Sequence, residues 1–160
     1  MSKNPLLHRH VVRALIIALT VLTAAFVAPA NQAQASPYGV SARVGAVAVT
    51  YTAKERGRPY RMGGTTPARG FDCSGLVTYV YKTRLHRNIP RTADAQYRAT
   101  LRISKKSMRP GDLVFFLSGG RAYHVGVYAG HNKMWHAARP GTRVKLVTIW
   151  TTQWVGGRVR

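Results

Sequence analysis

"FDCSGLVTYVY", Phe71 to Tyr81, holds the only cysteine of a 160-residue chain. Asp72 stands where a helix N-cap belongs. Leu76, Val77, Val80 and Tyr81 follow at steps of three and four, the spacing of one helix face. The stretch predicts a helix from Cys73 to about His86 with a thiol in its first turn. Unpaired backbone N–H groups and the helix dipole favour an anion there, so the thiol pKa is expected to be lowered. The amide of Cys73 or Ser74 would be an oxyanion donor. Gly75 is expected to leave room for a substrate backbone.

Working outward, residues 1–35 read as a secretory signal. Lys3, Arg9 and Arg13 precede the apolar run "ALIIALTVLTAAFVA", and "AQA" before Ser36 suits cleavage after Ala35. The run is shorter than the roughly 20 residues that span a bilayer, so no stable membrane anchor is expected after cleavage. Residues 36–42 are a short polar lead segment, and residues 43–160 suffice for one domain. A secreted chain with one cysteine has no internal disulfide, and its odd thiol is either buried and inert or reactive.

Within that domain, Ala42 to Arg56 has helical periodicity, ended by Gly57 and Pro59. "RPYRMGGTTPARG" is a loop, and a short helix is expected from about Thr92, a plausible N-cap. After "RPGD" the period changes. "DLVFFL", "AYHVGVYAG", "KMWHAA" and "RVKLVTI" are strand-like runs separated by glycine turns. Helices first and consecutive strands second indicate an α+β fold with a mostly antiparallel sheet.

A nucleophilic cysteine needs a base. His86 reads as a helix-end residue and His131 as a turn residue, which leaves His124 and His136 in strands. A three-residue loop, Gly130-His131-Asn132, is expected between those strands. An odd loop puts His124 and His136 on one face, and a two-residue loop would separate them. Gly126, on the same face, is expected to keep space open. Zinc bound by Cys73, His124 and His136 is disfavoured, because no close ligand pair accompanies the cysteine. No metal or cofactor is expected.

Three of the 25 Lys and Arg fall in the signal; the other 22 face four Asp and Glu, a formal charge near +18. Such an excess attracts polyanions. In a secreted protein, anionic cell-wall polymers are the expected partners and nucleic acid is not. A monomer is expected.

"GRPYRMGG", "FDCSGLVTYVY", "IPRTADAQ", "RPGDLVFF", "HVGVYAG" and "KMWHA" together resemble, in order and spacing, the NlpC (p-sixty) family of secreted, papain-like cysteine peptidases. The resemblance covers nearly all of residues 43–160. It implies N-terminal helices packed on the sheet, with the nucleophile at a helix N-terminus. It also implies Cys73 as nucleophile, His124 as base and His136 as the residue that orients it. Tyr60, Asp72 and Ser74 match substrate-binding positions. Peptidoglycan stem peptides are the implied substrate, commonly cut between D-glutamate and diaminopimelate or lysine. His131-Asn132 departs from the Asn-Gly or Asp-Gly common at that turn. The alternatives are a cationic wall-polymer-binding or toxin-like protein, and an acyl transferase on the same fold.

Overall fold

The computed structural model describes residues 39–160. The signal expected over 1–35, and the first part of the lead segment expected over 36–42, lie outside the described residues. Helix α1 spans Ala42–Lys54, with Ser41 accepting a hydrogen bond from the Val44 amide as its N-cap. A two-stranded ribbon follows, β1 (Thr65–Thr66) with β2 (Gly70–Phe71). It leads directly into α2 (Cys73–Thr78), which continues as wider π-helical turns over Tyr79–Arg84. His86, exposed and at φ 52°, ends that rod. Helix α3 (Ala93–Ala99) starts at Thr92, whose hydroxyl accepts from the Ala95 amide.

The remaining strands form one sheet. They are β3 (Leu101–Ile103), β4 (Leu113–Ser118), β5 (Arg121–Gly130), β6 (Lys133–His136), β7 (Lys145–Thr148) and β8 (Val155–Arg158). The order is β3-β8-β4-β5-β6-β7, and every pairing is antiparallel. The α+β architecture read from the periodicity is therefore present.

Alternation along the strands gives the sheet two unequal faces. Leu113, Phe115, Val125, Val127 and Trp135 pack with Leu76, Val77, Val80 and Tyr81 in the main core. Burying Leu76, Val77 and Val80 contributes about 1.5–3 kcal/mol each. Val114, Phe116, Met134, Ile149 and Trp154 form a smaller cluster on the other face.

Two strands escape a pattern reading. In β8, "VGGR", a Cβ on Gly156 would overlap the Met108 sulfur, and one on Gly157 would crowd Thr100 and Phe115. The strand is packed too tightly to carry the β-branched residues that mark strands. Its neighbour β3 has only three residues.

The β5–β6 connection corrects an expectation. The turn has two residues, His131 and Asn132, at φ 50° and 56°, and Gly130 pairs with Lys133. A two-residue turn alone would place His124 and His136 on opposite faces. However, Tyr128 pairs with Met134, so Ala129 is an extra residue in β5. This bulge restores the parity.

Candidate active site

Cys73 begins α2, and the side chain of Asp72 fixes that end of the helix. Asp72 Oδ1 accepts from the Gly75 amide at 2.7 Å, and Oδ2 accepts from the Gly63 amide at 2.8 Å. One carboxylate thus caps the helix and ties it to the preceding glycine loop. Gly75 does not leave room for a substrate. A Cβ there would overlap the carbonyl oxygen of Gly64, so the chain itself fills that space.

The sequence reading missed Arg91. Its guanidinium grips Asp72 with two bonds, 3.1 Å to Oδ1 and 2.5 Å to Oδ2, and donates to Ser74 Oγ at 2.9 Å. Arg91 lies in the quoted block "IPRTADAQ", but nothing in its local spacing points at Asp72. Gln96, fully buried, holds the Arg91 segment against α2. Its amide donates to the carbonyls of Ser74 and Pro90 at 3.0 and 2.9 Å. Burial alone would raise the Asp72 pKa. The Arg91 bond and charge, with the Gly75 and Gly63 amides, outweigh burial and hold it below the usual carboxylate value.

Tyr60 is buried beside this group, and its hydroxyl contacts the Met62 sulfur at 3.7 Å. Burial first, then the charges of Cys73 and Asp72, raises its pKa, while Arg91 opposes. Tyr60, Asp72, Ser74 and Arg91 thus cluster around Cys73. Asp72 and Ser74 already bond within the protein.

The Cys73 thiol is half-buried, and its pKa is raised instead of lowered. Burial is the main cause and the neighbouring Asp72 charge the second. The amides of Val125, Ser74 and Cys73 itself favour the thiolate but do not offset both. The Val125 contact places the sulfur where β5, still paired with β4, is no longer paired with β6. The β5–β6 ladder runs only from Val127↔Trp135 to Gly130↔Lys133, and the strands part beyond it.

His124 and His136 flank that gap. His124 Nε2 and His136 Nδ1 are 2.9 Å apart, and both rings are buried. Among the described residues His124 Nδ1 makes no hydrogen bond, so it is the ring nitrogen free for proton exchange. Gly126 leaves no open space beside them, because a Cβ there would press on the Met134 sulfur and the Trp135 carbonyl. Burial pushes both imidazoles down to about 4. The second cause is His136 for His124 and Lys145 for His136. Both rings are neutral at pH 7. His86 and His131 are exposed and take no part.

The order of blocks agrees with similarity to known proteins. The family model described as "NlpC/P60 family" matches residues 57–159, and the chain belongs to that family. It is 42% identical over 120 residues to the murein DD-endopeptidase MepH of Escherichia coli, covering 70% of this chain and 44% of that protein. It is 43% identical over 91 residues to the bifunctional muramidase/DL-endopeptidase CwlT of Bacillus subtilis, covering 55% of this chain and 27% of that one. The chain thus spans less than half the length of either. The crystal structure of the NlpC/p60 domain of the peptidoglycan hydrolase SagA superposes with a TM-score of 0.65 at 35% identity. That match covers 72% of this chain and 98% of the domain.

Proposed function

We propose that this protein is a secreted cysteine endopeptidase that hydrolyses amide bonds in peptidoglycan stem peptides, at the link from D-glutamate to diaminopimelate or lysine. The observation that carries the reading is the 2.9 Å contact between His124 and His136, together with the bond from the Val125 amide, next to His124 in β5, to the Cys73 sulfur. The murein and DL-endopeptidase names of the relatives support the substrate class.

In this reading Cys73, His124 and His136 act as one unit. His124 Nε2–H donates to His136 Nδ1, which leaves Nδ1 as the base. Cys73 rests as a thiol, since its own pKa is raised and His124's is depressed. The proton passes to His124 Nδ1 as the sulfur attacks the amide carbonyl, and the S–C bond forms. Amides at the start of α2 receive the oxyanion. Collapse breaks the C–N bond, and His124 returns its proton to the departing amine. Water, deprotonated by His124, then hydrolyses the thioester and restores the thiol. Tyr60, Asp72 and Ser74, with Arg91, would receive the acyl part of the stem peptide. No metal or cofactor takes part.

The protein is incubated with purified muropeptides and the products are read by mass spectrometry. New termini with wild type, absent with Cys73→Ala, are expected; identical profiles overturn the proposal. Products joined to an added amine would indicate acyl transfer instead. Exported protein beginning at Ser36 would establish the expected leader.

A second reading, a polymer-binding or toxin-like role, is favoured by one observation. The four carboxylates pair internally, Glu55 with Arg58, Asp72 with Arg91, Asp94 with Arg98 and Arg121, and Asp112 with Arg158. Among the described residues the remaining cations have no carboxylate partner, and most of them are exposed to solvent and to wall polyanions. Binding that persists in Cys73→Ala and is lost in high salt would support this role.

A further inference from the structure

Tyr123 and Trp150 are large aromatic residues that stand exposed beside the histidine pair, at 63% and 58%. Neither takes part in the chemistry above. Tyr123 owes its position to a second bulge. Phe116 pairs with His124 and Leu117 with Ala122, so Tyr123 has no partner on β4. A bulge re-aims the side chain it carries. Here Tyr123 joins His124, Ala138 and Trp150 around a cleft of about 220 Å³.

Trp150 is held in place from below. Its ring stacks on Phe116 at 4.6 Å and 2° between planes, and Phe116 is itself buried. The indole centroid lies 5.7 Å from the His136 ring and 6.4 Å from the His124 ring. One aromatic face is thus fixed against the protein while the residue as a whole stays open to solvent. Leaving two such side chains in water forgoes hydrophobic stabilisation, and a ligand would recover it.

The reaction specifies which ligand. His124 must hand its proton to the departing amine, so the residue that carries that amine lies against His124. The Tyr60, Asp72 and Arg91 group contributes nothing to this cleft and is left for the acyl side. We propose that Tyr123 and Trp150 bind the residue that supplies the leaving amine, holding the aliphatic stem of the diamino acid between them. The inference rests on the amide-hydrolase reading and names the leaving-group subsite within it.

Two measurements test it. The first needs no catalysis: free meso-diaminopimelate, then lysine, is titrated into the protein and the indole N–H signals are followed by NMR. The three tryptophans are Trp135, Trp150 and Trp154. A saturable shift of Trp150, weakened by Tyr123→Ala, is expected; no shift overturns the proposal even if the enzyme is active. If the shift is seen but muropeptides are not cut, the hydrolase reading alone fails. The second compares L-alanyl-γ-D-glutamyl-lysine with the same acyl group on methylamine. Tyr123→Ala and Trp150→Ala are expected to lower kcat/KM about tenfold on the first substrate and to leave the second unchanged. An equal loss on both would make the aromatics supports for the histidines and overturn the proposal.

Discussion

His124 Nε2 and His136 Nδ1 lie 2.9 Å apart although only two residues turn the chain between their strands. The bulge at Ala129 brings them to one face. In the proposed tautomer His136 Nδ1 accepts and its Nε2, which is buried without a partner, keeps the proton.

His136 is therefore expected to act through its acceptor atom. His136→Asn places an amide oxygen near the position of Nδ1 and should retain a measurable fraction of kcat. His136→Leu removes the acceptor and should lower kcat by roughly 10²-fold or more with little change in KM. Steady-state kinetics on a stem peptide separate the two; equal losses would mean that the orientation of His124 does not matter.

Arg91 offsets a carboxylate that otherwise disfavours the thiolate. Arg91→Met leaves the Asp72 charge uncompensated, so the Cys73 pKa should rise further. Asp72→Asn removes the second cause of the raised value and should lower it. Rates of iodoacetamide alkylation against pH report both directions. A profile unmoved by either change would rule out this electrostatic coupling.

The histidine pair makes stability depend on pH. Both imidazoles sit near 4 in the folded protein against an ordinary 6.5. Between those values the unfolded chain binds protons that the folded one does not. Stability is then full above about pH 6.5 and is lost as pH falls toward 4. The two shifts together are worth about 5 kcal/mol at pH 4.5, so the melting temperature should drop by on the order of 15 °C between pH 7.5 and 4.5. In His124→Gln/His136→Asn this fall should largely disappear. Asp72 and Asp94, whose pKa values are lowered, act in a separate window below the usual carboxylate value.

Gly75 tests the packing of α2 on the glycine loop. Gly75→Ala drives a methyl group into the Gly64 carbonyl and should cost about 3 kcal/mol, near the upper end for overpacking. Urea denaturation measures it. A cost below 0.5 kcal/mol would show that the loop yields, and that the helix start is not fixed by this contact.

The elements legible in the sequence were those whose side chains obey one period. Leu76, Val77, Val80 and Tyr81 mark α2, and Val125 and Val127 mark the buried face of β5. Strand β8 was not legible, because Gly156 and Gly157 answer to Thr100, Met108 and Phe115, which a local window does not contain. The grouping of His124 with His136 followed from parity, but by a different route from the three-residue loop expected. Arg91 was missed because a guanidinium 19 residues from its carboxylate leaves no local pattern.

By itself the sequence determined that helices come first and strands second, and the place of Cys73 at a helix start. Hydrophobic period and capping chemistry are local, and for these they suffice. The tertiary structure decided how the sites are tuned. Burial and the Asp72 charge reverse the pKa shift that a helix N-terminus alone would give Cys73. The bulges at Ala129 and Tyr123 set which side chains meet in the cleft. Those outcomes depend on desolvation and on contacts between residues far apart in the chain, which no stretch of sequence contains.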